Sequence, residues 1–405
     1  MGTRTKTLLV ATGWTTCVIV FILAFIRTPR PHSLIFASEK FLPPPPSRHK
    51  CNDAITNMLI GHWDELDVKE SDKLRMYNYY DQVMKTRGVQ YGIQRPDRQC
   101  GNVVTSHWYR GLCHPGGPTP CCNNSVCVNS SPHNCSCPRC FDLRDQIEAD
   151  LATWRAQNEA CQPRKMAVAE ICTLLGNASV YFIGDSLVRH LYMAFAMLAK
   201  GTEDKVFHYT NMSADLSSLC RGRLLFSNMK CYLVALHSPV LCNGAVKTKF
   251  MELRSIGKTK QILTEILSLG NRSRSLVVFG IGCDDRYNAD IIQQRIWKPL
   301  LQQMKSKKLT KPNIVWTTPH IFGVFKAETK DYRAELNQDF SHLHNFTHKM
   351  IAFLKQRSIP VLSSYNITMG VMSHDGVHHG MGVNMLRAKV LLHHIEELAS
   401  RGQWW

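Results

Sequence analysis

Ala178-Ser179-Val180-Tyr181-Phe182-Ile183-Gly184-Asp185-Ser186-Leu187-Val188-Arg189 changes its hydrophobic period half-way along. Residues 178–183 form a mostly apolar run of strand length, which predicts a buried strand. Between Leu187 and Lys200 the residues Leu187, Leu191, Ala194, Phe195 and Leu198 share one face, which predicts a helix. Gly184, Asp185 and Ser186 occupy the junction, so Ser186 stands at a helix N-terminus, with Gly184 and Asp185 expected to line the oxyanion or substrate site. Free backbone N–H groups at such a position can stabilise an oxyanion. Asp-Ser is also an ordinary helix-cap signal, so Ser186 needs partners elsewhere in the chain before it reads as a nucleophile.

Those partners are in Asp375-Gly376-Val377-His378. A serine hydroxyl is a weak nucleophile until a base takes its proton. His378 can do so if its other ring nitrogen donates to a carboxylate, and Asp375 is the natural candidate. One turn can present both side chains. His374 and His379 beside them would also suit a metal ion. Asp375 and His378 already have roles, however, and no His-Glu-x-x-His arrangement follows, so no metal is expected.

Working outward, strands are predicted at 178–183, 223–227, 231–236, 275–281, 312–317 and 358–363. Helices are predicted at 144–160, 187–200, 288–305, 331–356 and 382–400. This alternation predicts an α/β domain whose mainly parallel sheet carries helices on both faces. Ligands of such sheets bind beyond the carboxyl ends of the strands. Ser186 follows one strand end; Asp375 and His378 follow another, so all three can meet there. His320, closing Trp316-Thr317-Thr318-Pro319-His320, faces the same edge as a substrate contact or an ordinary loop histidine.

Gly184-Asp185-Ser186 and Asp375-x-x-His378, near opposite ends of residues 150–405, resemble the SGNH hydrolase superfamily. Trp154-Arg155, Cys161, Phe182-Ile183-Gly184-Asp185-Ser186-Leu187 and Arg189 resemble the plant trichome-birefringence-like proteins and related PC-esterases. Asp375-Gly376-Val377-His378 is also similar to the luminal domain of the animal sialic-acid O-acetyltransferase. The resemblance implies a three-layer α/β/α SGNH-like domain, a Ser186, His378 and Asp375 triad, and O-acetyl transfer to Golgi polysaccharides. It implies that Arg189 holds the oxyanion or shapes the site; a solvated helix arginine is the alternative. The family's Gly-x-Asn-Asp block is replaced by Gly280-Ile281-Gly282-Cys283-Asp284-Asp285, without an asparagine, and Gly282 or the backbone nearby is the expected substitute for that oxyanion donor. Gly222 is either the glycine of a second block or a turn glycine before the next strand. His379 follows His378 where the plant proteins have tryptophan.

The N-terminal half indicates the compartment. Residues 8–26 carry no charge over 19 positions, close to the roughly 20 apolar residues that span a bilayer. The run exceeds a signal-peptide core of roughly 7–15 residues and is followed by Arg27-Thr28-Pro29-Arg30, so an uncleaved signal anchor is expected. Glycosylation acceptors stand at Asn123, Asn129, Asn134, Asn177, Asn211, Asn271, Asn345 and Asn366, against roughly three expected by chance among 20 asparagines. Asn177 and Asn366 lie near proposed active-site strands and are expected to be the poorer acceptors. Of 16 cysteines, Cys17 is in the span and eight fall between Cys100 and Cys140. That density predicts a disulfide-stapled module, with zinc through Cys137-x-x-Cys140 as the rival. The expected layout is a cytosolic tail (1–7), the anchor (8–26), a stem (27–50) containing Pro43-Pro44-Pro45-Pro46, a cysteine-rich luminal segment (51–145) and a catalytic domain (146–405). The segment around Gly61-His62-Trp63 is expected to pack onto that domain. Trp404-Trp405 looks like an exposed apolar terminus.

The net charge of +18 would suit nucleic acid, but a luminal glycosylated chain has no access to it; acidic glycans or a phosphate on the donor are the expected attraction. The sequence therefore predicts a type II Golgi membrane protein that acylates glycan hydroxyls through Ser186, with acetyl as the expected acyl group. A glycan acetylesterase with the same residues is the first alternative, and a silent glycan-binding or adhesion protein the second. No bound cofactor is expected. The acyl donor stays open, with acetyl-CoA as a candidate. With one span, the chain would rely on a separate acetyl-donor transporter.

Overall fold

The β1 strand (Ser179–Gly184) is central because both of its faces are apolar: Val180 and Phe182 point one way, Tyr181 and Ile183 the other. In a computed structural model of the protein, the described residues are 51–86, 98–100, 113–137, 140–202, 213–220, 224–227, 229–231, 240–270, 272–323 and 340–405. The tail, anchor and stem lie outside them, as do Gly222, Asn211, Asn271 and residues 232–236 of the strand expected at 231–236. Among the described residues no helix is long and apolar enough to cross a membrane.

Beside β1 run β2 (Lys247–Glu252), β3 (Ser275–Gly280), β4 (Asn313–Thr317) and β5 (Val361–Leu362), in the order β5-β4-β3-β1-β2. All four pairings are parallel. Helices α1 (Val168–Leu175), α2 (Ser186–Lys200), α3 (Thr259–Leu267), α4 (Lys298–Ser306), α5 (Phe340–Lys355) and α6 (Met381–Ser400) alternate with the strands. One sheet face packs Val180, Phe182, Leu276 and Val278 against Ile171 of α1, Leu191 and Phe195 of α2 and Leu391 of α6. The other packs Ile183, Val277 and Phe279 against Ile262 of α3, Leu300 of α4 and Met350 of α5. The sheet is thus covered on both faces, as parallel sheets require. The strand order reverses between β1 and β3, and the crevice beyond their carboxyl ends is where such sheets bind ligands.

Several elements differ from expectation. The helix expected at 144–160 is replaced by short turns and a strand, Ala152–Ala156, paired antiparallel with Gly61–Glu65. Tertiary pairing decides the matter. Trp154 and Ala156 alternate inward, Trp154 Nε1 donates to the Met58 carbonyl at 2.8 Å, and its ring meets Trp63 edge-on at 5.3 Å. The strand expected at 223–227 is a helical turn, Leu224–Ser227, inside the loop closed by Cys220–Cys231; an apolar run this short suits either structure. The strand expected at 358–363 shrinks to Val361–Leu362. Sequence periodicity missed β2, whose exposed lysines Lys247 and Lys249 alternate with buried Thr248 and Phe250. Lysine on an open edge strand discourages pairing with another chain.

Seven disulfides are present among the described residues, and four lie within the dense cysteine block: Cys100–Cys122, Cys113–Cys127, Cys121–Cys135 and Cys137–Cys140. Cys137 and Cys140, which would lead the zinc alternative, are bonded to each other. Cys283 takes part in no disulfide and sits past the end of β3 rather than on it. Cys51–Cys161 ties the N-terminal segment to the rest. Trp404 is fully buried, not exposed, and its Nε1 donates to the Leu174 carbonyl at 3.0 Å. Of the two, Trp405 reaches the surface, beneath the Arg274 guanidinium.

Candidate active site

The turn after β1 exists because a glycine stands at its corner. Gly184 lies in register with Glu252 of β2 and Gly280 of β3. A β-carbon on Gly184 would come 2.0 Å from the Gly280 carbonyl oxygen, so no other residue fits without moving backbone. Asp185 then caps α2, its Oδ1 accepting from the Leu187 N–H at 2.9 Å. The Asp185 carboxylate also accepts from the Val188 N–H, and its main-chain carbonyl from the Arg189 N–H at 3.0 Å. Burial raises the Asp185 carboxyl above the usual range, and the two N–H bonds oppose that rise. The Asp185 side chain therefore engages two of the four helix-start N–H groups, and the Asp185 N–H goes to the Gly280 carbonyl at 3.3 Å. The N–H of Ser186 itself is the remaining first-turn donor.

The second arm is a tight turn between β5 and α6. Gly376 takes a left-handed φ of 83°, which glycine adopts without strain. The Ser373 hydroxyl accepts from the Gly376 N–H at 3.0 Å, and the His374 N–H donates to the His378 carbonyl at 2.8 Å. Asp375 Oδ1 accepts from the Val377 and His378 N–H groups at 3.0 and 2.8 Å, leaving Oδ2 to meet His378 Nδ1 at 2.7 Å. One carboxylate thus shapes the turn and holds the ring. The other ring nitrogen, His378 Nε2, is 2.6 Å from Ser186 Oγ, across 192 residues of sequence. With the Nδ1 proton directed at Asp375, the Nε2 lone pair faces the serine hydroxyl. This series can activate Ser186 and hold its proton.

Around the series the buried groups are mostly neutral or cationic. The His190 ring, one helical turn beyond Ser186, lies 5.1 Å from that of His378, and burial holds its imidazole far below the usual range. His320 is buried rather than exposed to ligand; its Nδ1 approaches the Val377 carbonyl at 3.2 Å and His379 Nδ1 at 3.1 Å. Burial pushes His379 down to about 3 and the Arg387 guanidinium down to about 9. Arg387 donates to the Leu187 carbonyl at 3.1 Å and to Thr317 Oγ1 at 2.7 Å.

Other expected positions fall differently. The Arg189 guanidinium lies 3.5 Å from Glu252 Oε1, an oxygen that Arg254 also binds. Gly282 packs against Phe346 and Tyr287, and its carbonyl accepts from the Asp285 and Tyr287 N–H groups. The Asp285 carboxyl accepts from the Ile256 N–H, yet partial burial pushes it up to about 6. Among the acceptor asparagines, Asn123, Asn129, Asn134, Asn177, Asn345 and Asn366 are all exposed. Asn177 precedes β1, so roughly 20 Å of strand separates it from Ser186; proximity to the site is no obstacle there.

Two solved esterases overlap part of this chain. One is a carbohydrate acetylesterase from Sinorhizobium meliloti, with 11% identity and a TM-score of 0.32, covering 55% of this chain and 99% of its own. The other is a variant of an acetyl-xylooligosaccharide esterase from Geobacillus, with 14% identity and a TM-score of 0.28, covering 57% of this chain and 96% of its own. No protein-family model matches the chain, and no curated protein matches it by sequence.

Sequence reading passed over Arg387, His190 and Glu252. His190 had a signal: it lies four residues after Ser186 on a predicted helix, hence on the same face. Arg387 stands in Leu386-Arg387-Ala388, amid the apolar residues of the last predicted helix, where a lone charge invites the question of what it binds. Glu252 had none, because β2 itself was missed.

Proposed function

We propose that this protein is a serine-dependent O-acyltransferase, with acetyl as the acyl group and glycan hydroxyls as acceptors. The observation that carries the reading is the continuous hydrogen-bonded series from Ser186 Oγ through His378 to Asp375 at the carboxyl edge of the sheet. Ser186 Oγ attacks the donor's acyl carbon while its proton passes to His378 Nε2. The tetrahedral oxyanion is met by the Ser186 N–H. The donor's leaving group departs with the proton from His378, and the acyl group remains on Ser186. A sugar hydroxyl then gives its proton to His378 and attacks the acyl-enzyme. Collapse releases the sugar ester, and the proton returns to Ser186. Asp375 stays ionised and steadies the imidazolium in both halves.

Acceptor class, Golgi location, the 8–26 anchor and acetyl-CoA as donor rest on the motif resemblance and on the N-terminal sequence. The exposed acceptor asparagines and the disulfides support a luminal setting. Hydrolysis is the second reading, favoured by access: the His378 side chain is 22% exposed, so water can compete with a sugar for the acyl-enzyme.

The test uses the full-length chain. A fluorophosphonate should label the parent and leave Ser186→Ala unlabelled. Incubation with acetyl-CoA and candidate oligosaccharides should then add acetyl mass to the sugar in the parent alone. Equal turnover by Ser186→Ala would overturn the mechanism, and release of acetate without sugar acetylation would favour the hydrolase.

A further inference from the structure

We infer that Arg387 and Asn384 form a buried brace that sets the separation between Ser186 and His378. The inference rests on the reading of those two residues as nucleophile and base. Both brace residues project from α6, which begins three residues after His378. Both are fully buried.

Their bonds reach the two arms at corresponding points. Arg387 Nη1 donates to the carbonyl of Leu187, the residue after Ser186, at 3.1 Å. The same nitrogen donates to Asn384 Oδ1 at 3.2 Å. Asn384 Nδ2 donates to the carbonyl of His379, the residue after His378, at 2.9 Å, and to that of Gly380 at 2.8 Å. Arg387 Nη2 fixes the third point, Thr317 Oγ1 at the end of β4. The path from nucleophile to base therefore runs twice: once through Ser186 Oγ and His378, once below through Leu187, Arg387, Asn384 and His379. A side-chain bond between Ser186 and His378 alone leaves both backbones free to drift. The lower path fixes them.

Arginine suits this position for two reasons. Its planar fork sends two nitrogens in different fixed directions, which a lysine ammonium on a flexible stem does not. Its charge is also expensive to bury, yet among the described residues no carboxylate touches it, and Asp185 is the acid whose field it feels. The cation lies under the first turn of α2, where it leaves the Ser186 hydroxyl untouched. Arg387 and Asn384 act through Leu187 and His379, so they are positioning residues and touch no substrate.

The experiment compares full-length parent with Arg387→Lys and Asn384→Ala. Folding is followed by circular dichroism, Ser186 reactivity by the second-order rate of fluorophosphonate labelling, and turnover with a chromogenic acetyl ester. Displacement of a reacting group by about 1 Å can lower rates on the order of 10²-fold, so a fall of that size in kcat and in labelling rate is expected, with KM within about threefold. Glu397→Gln, which loosens the far end of the same helix, should lower the melting temperature and leave kcat within about threefold. That contrast separates positioning from mere stability. Folded Arg387→Lys or Asn384→Ala with parental kcat overturns the brace. If both fail to fold, Thr317→Val, which removes one bond of the guanidinium, is decisive: kcat should fall by roughly fivefold or more, and an unchanged kcat overturns the brace. A parent that neither turns over ester nor labels at Ser186 defeats the functional reading itself, and the brace with it.

Discussion

Gly184 and Gly280 face each other across neighbouring strands so closely that a β-carbon on the first would lie 2.0 Å from the carbonyl oxygen of the second. The contact is backbone to backbone and cannot be relieved by a side-chain rotation. It sits at the point where strand order reverses, one residue before the cap of α2.

Gly184→Ala should therefore separate β1 from β3 at the site. Overpacking of this kind costs about 1–3 kcal/mol, visible as a lowered denaturant midpoint. Ser186 labelling should slow more than stability alone explains, because the displaced backbone carries Asp185 and Ser186 with it. An alanine variant with parental midpoint and labelling rate would contradict the packing argument.

Asp375→Asn should leave the turn in place and remove the chemistry. The amide oxygen can still accept from Val377 and His378, as Oδ1 does now. The amide nitrogen would then face His378 Nδ1 and force the proton onto Nε2, where it blocks the serine. A loss of about 10⁴-fold in kcat with little change in melting temperature is expected, as for the corresponding change in other triads. Parental kcat in a folded Asn variant would remove Asp375 from the mechanism.

Asp285 predicts a pH effect on stability. Its carboxyl is raised to about 6 by desolvation when folded, above the ordinary carboxylate value. The folded state therefore holds a proton that the unfolded state has lost, and this group's contribution to stability falls as pH rises through that window. Asp285→Asn keeps an acceptor for the Ile256 N–H without the charge. The variant's advantage over the parent should grow between about pH 4 and pH 6 and then level off. A constant difference across that range, measured by urea unfolding, would show that the carboxyl does not titrate as argued.

Removing the Cys51–Cys161 bond tests the N-terminal attachment. It spans 110 residues, although the other bridges inside that loop shorten the freed chain. A Cys51→Ser, Cys161→Ser double variant should lose about 2–4 kcal/mol in denaturant unfolding. The labelling rate of the folded fraction should hold, since neither cysteine touches the site. The Asp53 and Ala54 N–H groups remain bonded to Glu397, so the segment keeps a second hold on α6.

The parallel sheet was legible where hydrophobic period and length agreed. Residues 178–200 show both, because β1 is apolar on two faces and α2 is buried nearly all round. Residues 144–160 misled because their apolar residues satisfy a strand pairing 91 positions away, between Trp63 and Trp154, which no local window sees. β2 was hidden by the lysines that an edge strand carries. At the site, residue types pointed to Ser186, Asp375 and His378. The role of Asp185 in engaging helix-start donors and the brace through Arg387 depend on three-dimensional neighbours. His379, one of the histidines whose cluster with Asp375 would suit a metal ion, is buried and turned toward His320, a neighbour that only the fold supplies.

Cys172–Cys242 encloses α2 and the stretch of chain after it, and Cys220–Cys231 closes a smaller loop inside. A single proteolytic cut between Cys220 and Cys231 would put Ser186 on one fragment and His378 on the other. The fragments would nevertheless stay covalently joined and run as one band until a reductant parted them. Nicked material would thus pass for the intact chain on a gel without reductant, with the two motifs on separate polypeptides.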